Sequence, residues 1–121
     1  QTPCINIVSG RETIPLLLSD IVSVVNDAHY LDICTKDGKH LRSRMTAENF
    51  LRLTGHDPRF LSVNRGILVN ADYIHALTKK ACILTDGTSF PVRVRDSQKL
   101  ENALRQYHFS WLRSEHHHRH T

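Results

Sequence analysis

Three arginines stand in stretches that otherwise read as protein core. Arg65 interrupts "FLSVNRGILVN", and Arg93 and Arg95 close "SFPVRVR". A guanidinium carries a rigid fork of donors that matches phosphate oxygens and the O6 and N7 atoms of guanine. In a strand, Leu61, Val63 and residue 65 share a face. A continuing strand would therefore bury Arg65 beside two core residues, which is costly for an unpaired charge. The chain is expected to leave the strand at Asn64, with Gly66 easing the bend, so that Arg65 projects into solvent or toward a partner. A pairing of Arg65 with a carboxylate such as Asp72 accounts for the same spacing equally well. Arg93 and Arg95 share one face of their strand while Phe90, Val92 and Val94 share the other. Taken alone, an ordinary solvated strand face explains them. His29, in the bend "NDAH", is on its own evidence a surface residue.

Other chemistries find little support. There is no glycine-rich phosphate loop, no H-E-x-x-H and no nucleophile elbow, so the chain is not read as an enzyme. Cys34 sits in an apolar strand segment and reads as core rather than nucleophile. His116, His117, His118 and His120 crowd a polar tail, but adjacent histidines in a tail hold metal weakly. No Cys, Asp or Glu set completes a site, and no metal or other cofactor is expected. Cys4, Cys34 and Cys82 are odd in number and far apart. This argues for reduced thiols in the cytoplasm rather than a disulfide framework. No apolar run reaches the length of a membrane span. No secretory signal is visible, and a start at Gln1 suggests an excised fragment.

The elements that must position these residues follow from pattern. "INIVS" and "TIPLLL" read as strands, the second on an edge because of Pro15. "IVSVV" and "YLDICT" flank the His29 bend, and Asp37-Gly38 signals a hairpin. Thr46 is placed as the N-cap of a short helix with Glu48 in its first turn, Phe50, Leu51 and Leu53 on its apolar side and Gly55 at its end. "ACIL", a second Asp-Gly turn at Asp86-Gly87 and "SFPVRVR" follow. Asp96 is then placed to cap a last helix, and to anchor Arg95. Leu100, Ala103, Leu104, Tyr107 and Trp111 fall at helical spacing along that helix. The expectation is a mainly β domain over residues 1–113, with a His-rich, disordered tail over 114–121. The chain of 121 residues, 40% hydrophobic and 23% charged, fits one globular domain, and its formal charge of +4 favours anionic partners.

Taken in order, these pieces resemble the LytTR family, the DNA-binding output domain of many bacterial response regulators. The resemblance runs from about Ile5 to Tyr107 and rests on "LSDIVSVVNDAHYLDICTKDG", "FLSVNRGILVNADYI" and "LTDGTSFPVRVRDSQKL". The family pattern has a histidine in the first bend, an "F-x-x-V-H-R-S-x-x-V-N" core, and a "D-G … P-V-S-R" strand before the last helix. Asn64 replaces the usual histidine, Gly66 the usual serine, and Arg93 the serine of the third segment. The resemblance implies an elongated arrangement of small antiparallel β-sheets with a short internal helix and a C-terminal helix. It implies binding to double-stranded promoter DNA at direct repeats, with loops and turns entering successive major grooves. Carried over by position, the base-reading residues are His29, Arg65 and Arg95. Asn64 and Arg93 support them, and Lys99 touches phosphate. It further implies a receiver domain in the parent protein and dimeric or tandem binding on DNA. Two rivals are a protein-interaction module of the same fold, favoured by Asn64 and Gly66, and a metal-dependent enzyme built on the histidine tail.

Overall fold

The computed structural model describes residues 3–119, and the side chains of residues 3–112 apart from that of 111. Three antiparallel sheets make up the β part of the chain. β1 (Cys4–Ser9) and β2 (Glu12–Leu17) form a two-stranded hairpin in which Pro15 lies opposite Asn6. Because β2 pairs with β1 alone, the proline falls on an edge strand, where a missing N–H is tolerated. A 3-10 turn at Leu18–Asp20 leads into the central sheet. Its strands are β3 (Ile21–Asp27), β4 (Tyr30–Thr35), β5 (His40–Ser43), β6 (Phe60–Asn64) and β7 (Ile67–Asn70), in the order β5-β4-β3-β7-β6. The third sheet has β8 (Ile74–Leu77), β9 (Ala81–Leu84) and β10 (Ser89–Pro91).

The central sheet is apolar on both faces, which explains why β3 reads as a nearly unbroken apolar run. One face packs Ile21, Val24, Leu31, Ile33, Phe60 and Leu68 against the β1–β2 hairpin and Phe50 of helix α1 (Ala47–Leu53). The other packs Val22, Leu61, Val63 and Val69 against Cys82, Leu84, Val92 and Leu100. A bulge between Ile21 and Ser23 lets Ile21 and Val24, three residues apart, share one face. Each such side chain contributes about 1.5–3 kcal/mol when fully buried. Thr46 caps α1 as its sequence context requires, its hydroxyl accepting from the Asn49 N–H at 3.1 Å.

Three expectations need correction. The alternation of "SFPVRVR" predicts a strand through Arg95, but β10 ends at Pro91. Its partner β9 begins at Ala81, opposite Pro91; one further bond, from the Val92 N–H to the Lys80 carbonyl at 2.9 Å, ends the pairing, because the Lys80 N–H turns to the Thr78 hydroxyl. Residues Val94–Asp96 instead form a 3-10 turn, and Val94 is 59% exposed rather than packed. Asp96 closes that turn directly before the last helix begins at Ser97, and forms no ion pair with Arg95 among the described residues. Cys34 lies on the face opposite Leu31 and Ile33, half-buried and outside both core clusters.

Helix α2 (Ser97–Arg119) lays Leu100, Ala103, Leu104 and Tyr107 on the second core. Trp111, expected on the same stripe, lies outside the described side chains. Helical backbone continues beyond residue 113, where the tail is expected to begin; no glycine or proline interrupts Ser97 to Arg119. The side chains of 113–121 lie outside the described residues.

All three cysteines are free. Cys4 is exposed, Cys82 is buried, and burial pushes the Cys82 thiol up to about 11. Burial, followed by the charges of Asp86 and Asp32, raises Cys34 as well. A raised value keeps the thiol protonated and unreactive at neutral pH. Alkylation of the folded protein without reductant is expected to label Cys4 first and Cys82 only after unfolding, with three labels in denaturant. Equal labelling rates for Cys4 and Cys82 in the folded state would contradict this packing.

Candidate nucleic-acid interface

The connection between β6 and β7 is the two-residue turn Arg65-Gly66, flanked by the pair Asn64 and Ile67. A register shift between Ser62 and Asn64 bulges the strand just before it. Gly66 has φ +76°, and a Cβ there would sit 3.0 Å from the Cβ of Asn26. Its carbonyl also accepts the Asn26 N–H at 2.7 Å, so the turn is pressed onto the end of β3. Both the dihedral and the close approach call for glycine. Arg65 is exposed at the tip of the turn. The alternative pairing with Asp72 does not form: Arg65 has no ion pair among the described residues, and Asp72 Oδ1 accepts the Tyr107 hydroxyl at 2.7 Å.

Asn64 holds this turn from two sides. Its Nδ2 donates to the Pro91 carbonyl at 2.9 Å, and its Oδ1 accepts the Arg65 N–H at 2.7 Å. The first bond ties the turn to the end of β10, and therefore to the segment that carries Arg93. Between β6 and α2 lies an open groove whose apolar lining includes Leu61, Val63, Leu100 and Ala103. Its polar lining includes Asn64, Arg65, Arg93, Lys99 and Asp96. Arg65, Arg93 and Lys99 form no salt bridge among the described residues, so three cations face one carboxylate. Such an arrangement attracts an extended anion.

The remaining two candidates lie beside this groove rather than in it. Arg95 is exposed on the 3-10 turn at Val94–Asp96 and does not line the groove. His29 is exposed in the turn between β3 and β4, where Ala28 has φ +57°. Val25 pairs with Ile67, and Asn26 bonds to Gly66, so the His29 turn and the Arg65 turn share one end of the central sheet.

Two cations at that end escaped the sequence reading. Arg42 and Arg44 alternate along "HLRSR", and their guanidinium carbons lie 4.1 Å and 5.9 Å from the centroid of the Tyr30 ring. Counting outward from the Asp37-Gly38 turn would have placed Arg44 beside Tyr30, so the signal was present as register rather than as a motif.

Comparison with known proteins agrees with this fold. The family model for the LytTr DNA-binding domain matches residues 11–105. Among solved structures, the chain is similar to the LytTr DNA-binding domain of a methyl-accepting/DNA response regulator from Bacillus cereus. The two superpose with a TM-score of 0.69 at 15% sequence identity, covering 86% of this chain and 98% of the other. No curated protein matches the sequence.

Proposed function

The chain belongs to the LytTR family of DNA-binding domains, and from that premise we propose that it reads specific sites in promoter DNA as the output domain of a bacterial response regulator. The observation that carries this reading is the groove of unpaired cations, Arg65, Arg93 and Lys99, at the sheet end that also bears His29. Arg65 and Arg95 have the donor geometry for guanine O6 and N7, and the imidazole of His29 can donate to or accept from a base edge. Arg93 and Lys99 take phosphates, which fix position without reading sequence. Asn64 supports readout indirectly, since its amide is already engaged in holding Arg65. Asp96 subtracts from the field of the groove. Membership in this family speaks for binding rather than catalysis, and the reading calls for no cofactor.

Two copies on adjacent direct repeats would gain affinity through high effective concentration, whereas a single copy binds weakly. A receiver domain in the parent protein would control that pairing, and the module would act in the cytoplasm. The test is a fluorescence titration with duplex DNA selected from a random pool, against a scrambled duplex, over a range of salt. With roughly three to five phosphate contacts, log K should fall against log salt with a slope of about −3 to −5. A flat response would show that this face does not bind DNA. Equal affinity for both duplexes would favour the rival reading, a protein-interaction module of the same fold.

A further inference from the structure

The sheet end that carries His29 holds cations beyond the positions assigned above. β4 and β5 pair with Leu31 opposite Ser43 and Asp32 opposite Arg42, which brings Tyr30 and Arg44 alongside at the end of the sheet. Both guanidiniums lie within cation–π reach of the same Tyr30 ring. Arg42 pairs with Asp27 at 3.5 Å; the two side chains are 59% and 63% exposed, so the contact restrains Arg42 weakly. Asp32, opposite Arg42 in the ladder, bonds instead to His40 Nδ1 at 3.0 Å. Arg44 is exposed and forms no ion pair among the described residues. The two carboxylates nearby are each engaged, Asp27 by Arg42 and Asp32 by His40, so Arg44 is the cation left open to a further anion.

We propose that Tyr30, Arg42 and Arg44 form a phosphate clamp for the DNA backbone, on the side of His29 away from Arg65. The proposal rests on the DNA-binding reading. Strand order gives the direction: β5 and β4 lie on one flank of β3, β7 and β6 on the other. Strands are spaced about 4.8 Å, so β5 and β6, four intervals apart, are separated by about 19 Å. Arg44 therefore adds to the footprint instead of duplicating Arg65. The ring orders the guanidiniums before DNA arrives, which lowers the entropy lost on docking. It leaves N–H edges for anionic oxygens, and guanidinium forks suit phosphate.

The test uses Arg44→Ala and Arg44→Gln, with Arg42→Ala, on the selected and scrambled duplexes. Circular dichroism confirms folding. Each Arg44 variant should weaken binding to both duplexes by the same factor and make the salt slope shallower by about 0.9. The deficit relative to wild type should then shrink about three- to fourfold between about 50 mM and 200 mM salt. Tyr30→Ala should weaken both duplexes, while Tyr30→Phe, which keeps the ring, should retain the slope. If wild type binds with salt dependence but the arginine variants match it, the clamp is wrong and the DNA reading stands. A loss confined to the selected duplex would make Arg44 a base reader and also overturn the clamp. If wild type binds neither duplex, both proposals fall together.

Discussion

Replacing Asn70 with alanine is expected to destabilise the fold by about 2–4 kcal/mol, because buried polar groups lose their partner. Asn70 is fully buried, with 0% exposure, at the end of β7. Its Nδ2 donates to the Ile21 carbonyl at 2.8 Å and more weakly to the Leu18 carbonyl at 3.4 Å. Its Oδ1 accepts the Asp72 N–H at 2.9 Å and so caps the 3-10 turn at Ala71–Tyr73. One side chain thus fastens the end of β7 to the start of β3 and launches the connection to the third sheet. The measurement is urea unfolding, with a lower midpoint and an unchanged slope. Asn70→Leu separates the causes: it restores volume but not hydrogen bonds, so it should stay well below wild type. If Asn70→Leu recovers full stability, packing rather than hydrogen bonding sets the role of this position.

Local chemistry made much of this fold legible. The cap at Thr46, the Asp-Gly turns and the escape of Arg65 at a glycine each depend on neighbours within a few residues. The order of those pieces carried the family resemblance. The misses arose where a distant partner decides. The pairing of β10 ends one bond past Pro91 because the Lys80 N–H turns to Thr78, a limit that the alternation of Phe90, Val92 and Val94 does not contain. Asn64 bonds to Pro91 across 27 residues, and its part in holding the turn cannot be counted from spacing. Cys34 read as core because its neighbours are apolar, yet the parity of β4 gives the core to Leu31 and Ile33. The stacking of Arg42 and Arg44 near Tyr30 needed the hairpin register to be carried through, not a motif.

Arg65→Ala is expected to cost about 1–3 kcal/mol on the selected duplex, the worth of a bidentate base contact. The loss on scrambled DNA should be smaller, because there the side chain contributes mainly charge. The turn is built to make that contact specific. Gly66 bends the chain at φ +76°, Asn26 fixes the far side, and Asn64 clasps the Arg65 N–H. Asn64→Ala removes that clasp and the tie to Pro91 while leaving the guanidinium in place. It should reproduce part of the specific loss and little of the nonspecific one. Arg93→Ala and Lys99→Ala, if their partners are phosphates, should weaken both duplexes alike and make the salt slope shallower by about one unit each. Arg95 lies outside the groove, so Arg95→Ala is an independent measurement: a specific loss there would extend base reading to the Val94–Asp96 turn. Suppose instead that Arg65→Ala and Arg95→Ala, both folded, weaken selected and scrambled DNA by the same factor. Neither arginine then reads sequence, and discrimination must come from His29 or from the shape of the DNA.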